Sequence, residues 1–190
     1  VRAGNKKNGL RKGQRMFRYI ALVWNVTDEQ QSRTAESLDE RLRARPWRRV
    51  FASNGLRVFC ADEGPTLRAL PIVNNAGAVL GTLFERNPSV DDDAPARRAV
   101  LSARSCEQIL ASEGRWLIEN CWGNYVALLH DAAAGTVRVL NDPTGTLPCF
   151  KTSFEDVTLL FSHIGDCLEL GVRKVNVDAA YLRARVLGFN

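Results

Sequence analysis

Apolar positions cluster in short runs rather than in long stripes. The run F-R-Y-I-A-L-V-W at 17–24 carries one charge in eight residues and predicts a strand, Phe17–Trp24, buried on both faces. Thr27 with Gln30 three residues later reads as a capping box. Ala35, Leu38 and Leu42 follow at helical spacing, and Pro46 stops that helix. Strands Arg48–Ala52 and Leu56–Ala61 flank Asn54–Gly55, a hairpin signal. Ala78–Phe84 predicts a further strand, and Asn87–Pro95, with Asp91, Asp92 and Asp93, a loop. Ala99, Ala103, Cys106 and Leu110 make the stripe of a second helix that Gly114 ends. Tyr125–His130 and Val137–Leu140 read as strands joined by a turn around Asp131–Gly135. The stretch N-D-P-T-G-T-L-P-C-F at 141–150 leads to a strand at Val157–Ser162. A last helix is expected from the Asn176 cap to Gly188, burying Val177, Ala180, Tyr181 and Ala184.

Strands that are apolar on successive residues are covered on both sides, whereas an antiparallel sheet with one wet face alternates. Two packed sheets with helices outside, a four-layer arrangement, meet that condition; a mixed α/β sheet meets it too. Residues 16–190 show no repeat and no linker, so one domain is expected there.

Charge alters the picture at one place. The 190 residues carry 26 Lys+Arg and 21 Asp+Glu, a net of +5. Residues 1–15 hold six of the basic side chains and no acid, so the rest is nearly neutral with 20 basic and 21 acidic. That leader reads as disordered, with Met16 as a possible true start, or as a basic arm for nucleic acid or another anionic partner. It lacks the apolar stretch of a signal peptide, and no segment has the length of a membrane span. Five cysteines without framework spacing point to a reducing, cytoplasmic setting.

The chemical inventory is short. His130 and His163 are the only imidazoles, neither in a zinc spacing, and no C-x-x-C occurs. Cys121 with His130, or Cys149 with His163, would be the available nucleophile–base pairs. Against that, Cys60, Cys106, Cys121, Cys149 and Cys167 read as small buried hydrophobes. No phosphate-cradling glycine loop is present. Trp24, Trp47, Trp116 and Trp122 read as core and not as a single-strand-binding set.

One stretch is specific. W-G-N-Y-V-A-L-L-H-D at 122–131, G-T-V-R-V-L-N-D-P-T-G-T-L-P-C-F at 135–150 and L-L-F-S-H at 159–163 resemble the N-terminal glutaminase domain of asparagine synthetases, the class-II glutamine amidotransferases. Asp142, Gly145 and Pro148 match that family's structural turn, with Asn141 where the family usually has Arg. Asp142 can bond the backbone two residues on and Gly145 can take positive φ. Upstream, Phe17–Trp24 would be the family's first strand, and Gly81-Thr82-Leu83-Phe84 would stand for its Gly-Glu-Ile-Tyr. The resemblance spans about residues 16–190 and implies an α+β fold, an N-terminal-nucleophile-type αββα four-layer sandwich of two antiparallel sheets.

The departures fall on the family's chemistry. Its nucleophile is a cysteine at the head of the first strand, where this chain passes from Met16 to Phe17. Its oxyanion asparagine would stand at Leu80, its carboxylate clamp near Leu70-Pro71-Ile72, and its amine-binding Asp near Ser105-Cys106-Glu107. Each loss costs orders of magnitude, so no catalytic, cofactor or metal residue is expected and the domain reads as a degenerate glutaminase. No S-G-G-x-D-S loop occurs before Asn190, so a C-terminal ATP-binding synthetase domain, with ATP and Mg, is the expected partner. Among such ligases, lasso-peptide cyclases fit best. There an adenylated side-chain carboxylate is captured by the peptide's own amine, a glutaminase has no task, and a precursor peptide is a further partner. An active glutamine-hydrolysing amidotransferase domain and a nucleic-acid or anionic-partner binder acting through the leader are the alternatives; no membrane is expected.

Overall fold

Strand β1 (Arg18–Val23) has four successive buried residues, Tyr19 to Leu22, as a doubly covered strand requires. It occupies the middle of a five-stranded sheet in a computed structural model that describes residues 17–61, 68–86 and 96–172. The leader, the loop Asn87–Pro95 and the helix expected from Asn176 lie outside those residues.

After β1 come α1 (Glu29–Arg43), β2 (Arg48–Ser53), β3 (Leu56–Ala61), β4 (Arg68–Pro71), a 3-10 turn (Val73–Asn75) and β5 (Gly77–Glu85). Then follow α2 (Ala103–Ala111), α3 (Arg115–Asn120), β6 (Cys121–Asp131), β7 (Thr136–Asn141), β8 (Phe150–Phe154), β9 (Val157–Phe161) and α4 (Ile164–Glu169). One sheet has the order β2-β3-β1-β9-β8 and the other β4-β5-β6-β7, with every pairing antiparallel. The chain leaves the first sheet after β3, builds the whole of the second, and returns to finish the first with β8 and β9.

Three apolar clusters separate the layers. Tyr19, Ala21, Val58 and Leu160 of the first sheet meet Ala78, Leu80, Val126 and Leu128 of the second. The opposite face of the first sheet, with Ile20, Leu22 and Phe59, packs on Ala35, Leu38 and Leu42 of α1 and Cys167 of α4. The opposite face of the second, with Val79, Tyr125 and Ala127, packs on Cys106 and Ile109 of α2 and Leu117 of α3. The protein is thus an α+β sandwich of two antiparallel sheets with helical cover on each outer face.

Several local expectations shift. The first helix is capped by Asp28 and not Thr27: Asp28 accepts from the Gln31 amide at 3.1 Å, and the Gln31 side chain returns to the Asn25 N–H at 2.8 Å. The reciprocal bond of a capping box is not made, because the Asp28 N–H donates to the Asn25 carbonyl and the Gln31 side chain reaches past it. Ala99 precedes α2, which starts from a Ser102 cap. Gly114, at φ +93°, follows the end of α2 and also opens α3. Strands β4 and β8 and helices α3 and α4 have no counterpart in the pattern.

Candidate functional site

The turn between β7 and β8 is organised by one carboxylate. Asp142 is buried, and its Oδ1 accepts from the backbone N–H of Thr144 at 2.8 Å and of Gly145 at 3.0 Å, and from the Thr144 hydroxyl. Its Oδ2 accepts from the Tyr125 N–H at 3.3 Å, tying the turn to β6. Gly145 sits at φ +62°. The Pro148 carbonyl accepts from the Tyr19 hydroxyl at 2.9 Å, so the far end of the turn is held by β1. Asp142, Gly145 and Pro148 therefore belong to one bracket between the two sheets, with every carboxylate bond spent on backbone or on Thr144.

Beside this bracket lies the head of β1. Phe17 is 2% exposed and packs in the inter-sheet cluster with Tyr19 and Leu147. Leu80 is buried in the same cluster. Leu70 and Pro71 lie on the edge strand β4, while Ile72 and Cys106 are buried between the second sheet and its helices. Ser105 bonds Ser102 at the start of α2. Gly81 on β5 has a structural cause, since a Cβ there would lie 2.2 Å from the Asn124 carbonyl oxygen at φ +117°.

Neither cysteine–histidine pair is brought together. Cys121 and His130 stand at opposite ends of β6, nine residues or roughly 30 Å apart along a strand. Cys149 lies against Tyr19, whereas His163 caps α4 with Nδ1 4.0 Å from Asp166. All five cysteines are free, and four are buried. Burial pushes the thiols of Cys60 and Cys167 up to about 12 and that of Cys121 to about 11, so none is a thiolate at neutral pH. Among the described residues no group of three or more His, Cys, Asp or Glu side chains is placed to hold a metal ion. No helix among them is long and apolar enough to cross a membrane.

The opposite end of the sandwich holds a cleft that sequence reasoning missed. It has about 400 Å³ and is lined by Asn74, Asn75, Glu113, His130, Asp131 and Arg138, among others. Asn74 and Asn75 adopt φ of +58° and +54°, a region that asparagine tolerates better than most residues. His130 Nδ1 is 3.0 Å from the Ser53 hydroxyl, a contact between the two sheets. Burial lowers the His130 pKa below 6.5, outweighing a hydrogen bond with the Asn75 backbone and the charge of Asp131. The ring is therefore neutral at pH 7 and could accept a proton. Ser53 does not line the cleft, so the pair clamps the sheets without presenting the hydroxyl to that space. The apolar-strand signal at 125–130 marked where His130 sits, but its partner is 77 residues away.

Of the tryptophans expected in the core, Trp24 is buried there and Trp122 is not. Trp122 is 44% exposed and stacks on Phe84 with ring centroids 4.6 Å apart. Trp24 is buried with the Arg57 guanidinium over its face.

No protein-family model, no curated protein and no solved structure matches this chain.

Proposed function

We propose that this is a glutaminase-like domain of N-terminal-nucleophile type that has lost its hydrolytic chemistry, serving a cytoplasmic, asparagine-synthetase-like amide ligase of the lasso-peptide macrolactam class. The observation that carries the reading is Phe17. In an active relative the residue at the head of the first strand is an exposed nucleophile whose own amine acts as base. Here that place holds a phenyl ring buried between the sheets, and burying such a ring contributes about 1.5–3 kcal/mol. A position that must open to substrate for catalysis instead closes the core.

The bracket of Asp142, Gly145 and Pro148 supports the same reading, because it ties the sheets together beside that strand head while offering no chemical group. In the whole enzyme, ATP and Mg would activate a peptide carboxylate on a synthetase domain, and the peptide's own amine would displace the adenylate. This domain's part would be to pack on the synthetase domain and help hold the precursor peptide. Ammonia from glutamine has no place in that scheme.

Calorimetry with L-glutamine, paired with an assay for released ammonia, tests it. Neither heat of binding nor ammonia is expected. Saturable glutamine binding or turnover would return the domain to the active amidotransferases.

A further inference from the structure

Residues 41–61 contain six arginines and no acidic residue, and the fold gathers three of the six on one carboxylate. Asp39 is buried on the inner side of α1. Its oxygens lie 2.9 Å from Arg43 Nε, 3.2 Å from Arg49 Nη1 and 3.7 Å from Arg57 Nη1. The three come from α1, β2 and β3, and the Arg57 guanidinium is 5.1 Å from the centre of the Trp24 ring.

A tether between α1 and the β2–β3 hairpin needs one guanidinium to neutralise Asp39. Three leave two positive charges in excess, and arginine cannot shed its proton to relieve them. Glu40, the next acid along α1, pairs with none of the three. Arg41 and Arg45 turn instead to the carbonyls of Leu170 and Glu169 at the end of α4. The Arg43 and Arg49 side chains are 53% and 40% exposed. Among the described residues no second acceptor meets their remaining nitrogens. The buried carboxylate thus holds two outward guanidiniums side by side with donors to spare.

We infer that Arg43, Arg49 and Arg57, fixed by Asp39, form a docking site for an acidic segment of a partner protein, whose carboxylates bridge Arg43 and Arg49. The planar guanidinium fork matches a carboxylate in two parallel bonds. The site is focal, and the chain beyond residue 15 is nearly neutral, so the extended basic stripe of a nucleic-acid surface is not supplied. Strand addition is disfavoured as well. β2 is the outer strand of its sheet, but its register slips between Arg49 and Phe51, and such a bulge blunts an edge. The contact is made by side chains. It is independent of the glutaminase-like reading.

The test uses the full chain and a fluorescein-labelled hexaglutamate peptide at low salt, followed by fluorescence polarisation. The variants are Arg43→Gln/Arg49→Gln, which leaves Arg57 on Asp39, and the charge-matched Arg104→Gln/Arg115→Gln on α2 and α3. Saturable binding is expected, weaker by about tenfold or more in the first double variant and by less than about twofold in the second. Equal weakening in both would assign the binding to overall charge, including the basic leader, and would overturn the site. Tighter binding of a single-stranded oligonucleotide of equal charge, with the same dependence on Arg43 and Arg49, would overturn the choice of partner, and no saturable binding would overturn both. If the first double variant melts early, Arg43→Lys decides: it keeps the charge and loses the fork, so severalfold weaker binding is expected and wild-type affinity refutes the proposal.

Discussion

The Tyr19 hydroxyl donates to the Pro148 carbonyl at 2.9 Å across a separation of 129 residues, joining the first strand to the end of the turn that precedes β8. The ring itself is fully buried between the sheets. Tyr19→Phe keeps the packing and removes only the hydroxyl, leaving a partly buried carbonyl without its donor. A loss of about 1–2 kcal/mol is expected, read as a lower urea midpoint with an unchanged m-value.

Asp142 provides a sharper contrast between two substitutions. Asp142→Ala deletes the acceptor for the N–H groups of Thr144, Gly145 and Tyr125 together and is expected to cost about 3 kcal/mol or more, the range for charged acceptors in a buried site. Asp142→Asn keeps one oxygen for the turn but places an NH₂ against the Tyr125 N–H. It should fall between wild type and the alanine variant in equilibrium denaturation. Equal stability of all three would mean that the bracket does not hold the sheets.

Much of this framework is legible in the sequence, and the gaps have physical causes. Asn54–Gly55 announces the β2–β3 hairpin because glycine supplies the positive φ that a tight turn needs; Gly55 is at +89°. Strand β8, F-K-T-S-F, escaped because it is an edge strand with a single buried residue, Thr152. Strand β4 ends in Pro71, tolerable at an edge yet read locally as a breaker. Six residues of α3 are too few to display a period. Thr27 and Asp28 are both good caps; the Thr27 hydroxyl is spent on the Asn25 side chain, and Asp28 takes the Gln31 N–H. The contacts of His130 with Ser53 and of Asp39 with Arg49 and Arg57 arise only when distant elements meet, so no spacing announces them.

The neutral state of His130 sets a pH dependence. Its folded pKa lies below the unfolded value of about 6.5, so protonation favours the unfolded chain. Its contribution is complete above the unfolded pKa and declines as pH falls through that value toward the folded one. Wild type should therefore lose more stability than His130→Gln between about pH 7.5 and about pH 5. Parallel stability curves for the two proteins would exclude this linkage.

The cysteines are expected to be inert. With Cys60 and Cys167 raised to about 12 and Cys121 to about 11, the reactive thiolate is scarce, and burial blocks the reagent. DTNB at mildly alkaline pH should label native protein slowly, with half-buried Cys149 first, and label all five at once in guanidinium. Rapid native labelling of Cys121 would reopen it as a nucleophile.

The central place of β1 has a consequence for how the chain is made. One of its neighbours, β3, follows within 40 residues, but the other, β9, begins at Val157. A chain emerging from the ribosome therefore carries β1 with a bare hydrogen-bonding side until the whole of the second sheet and β8 have been synthesised. Closing so large a loop is slow, and the interval is when aggregation competes. Any truncation ahead of Phe161 should leave that side bare for good, so the first strand depends for its cover on one made long after it.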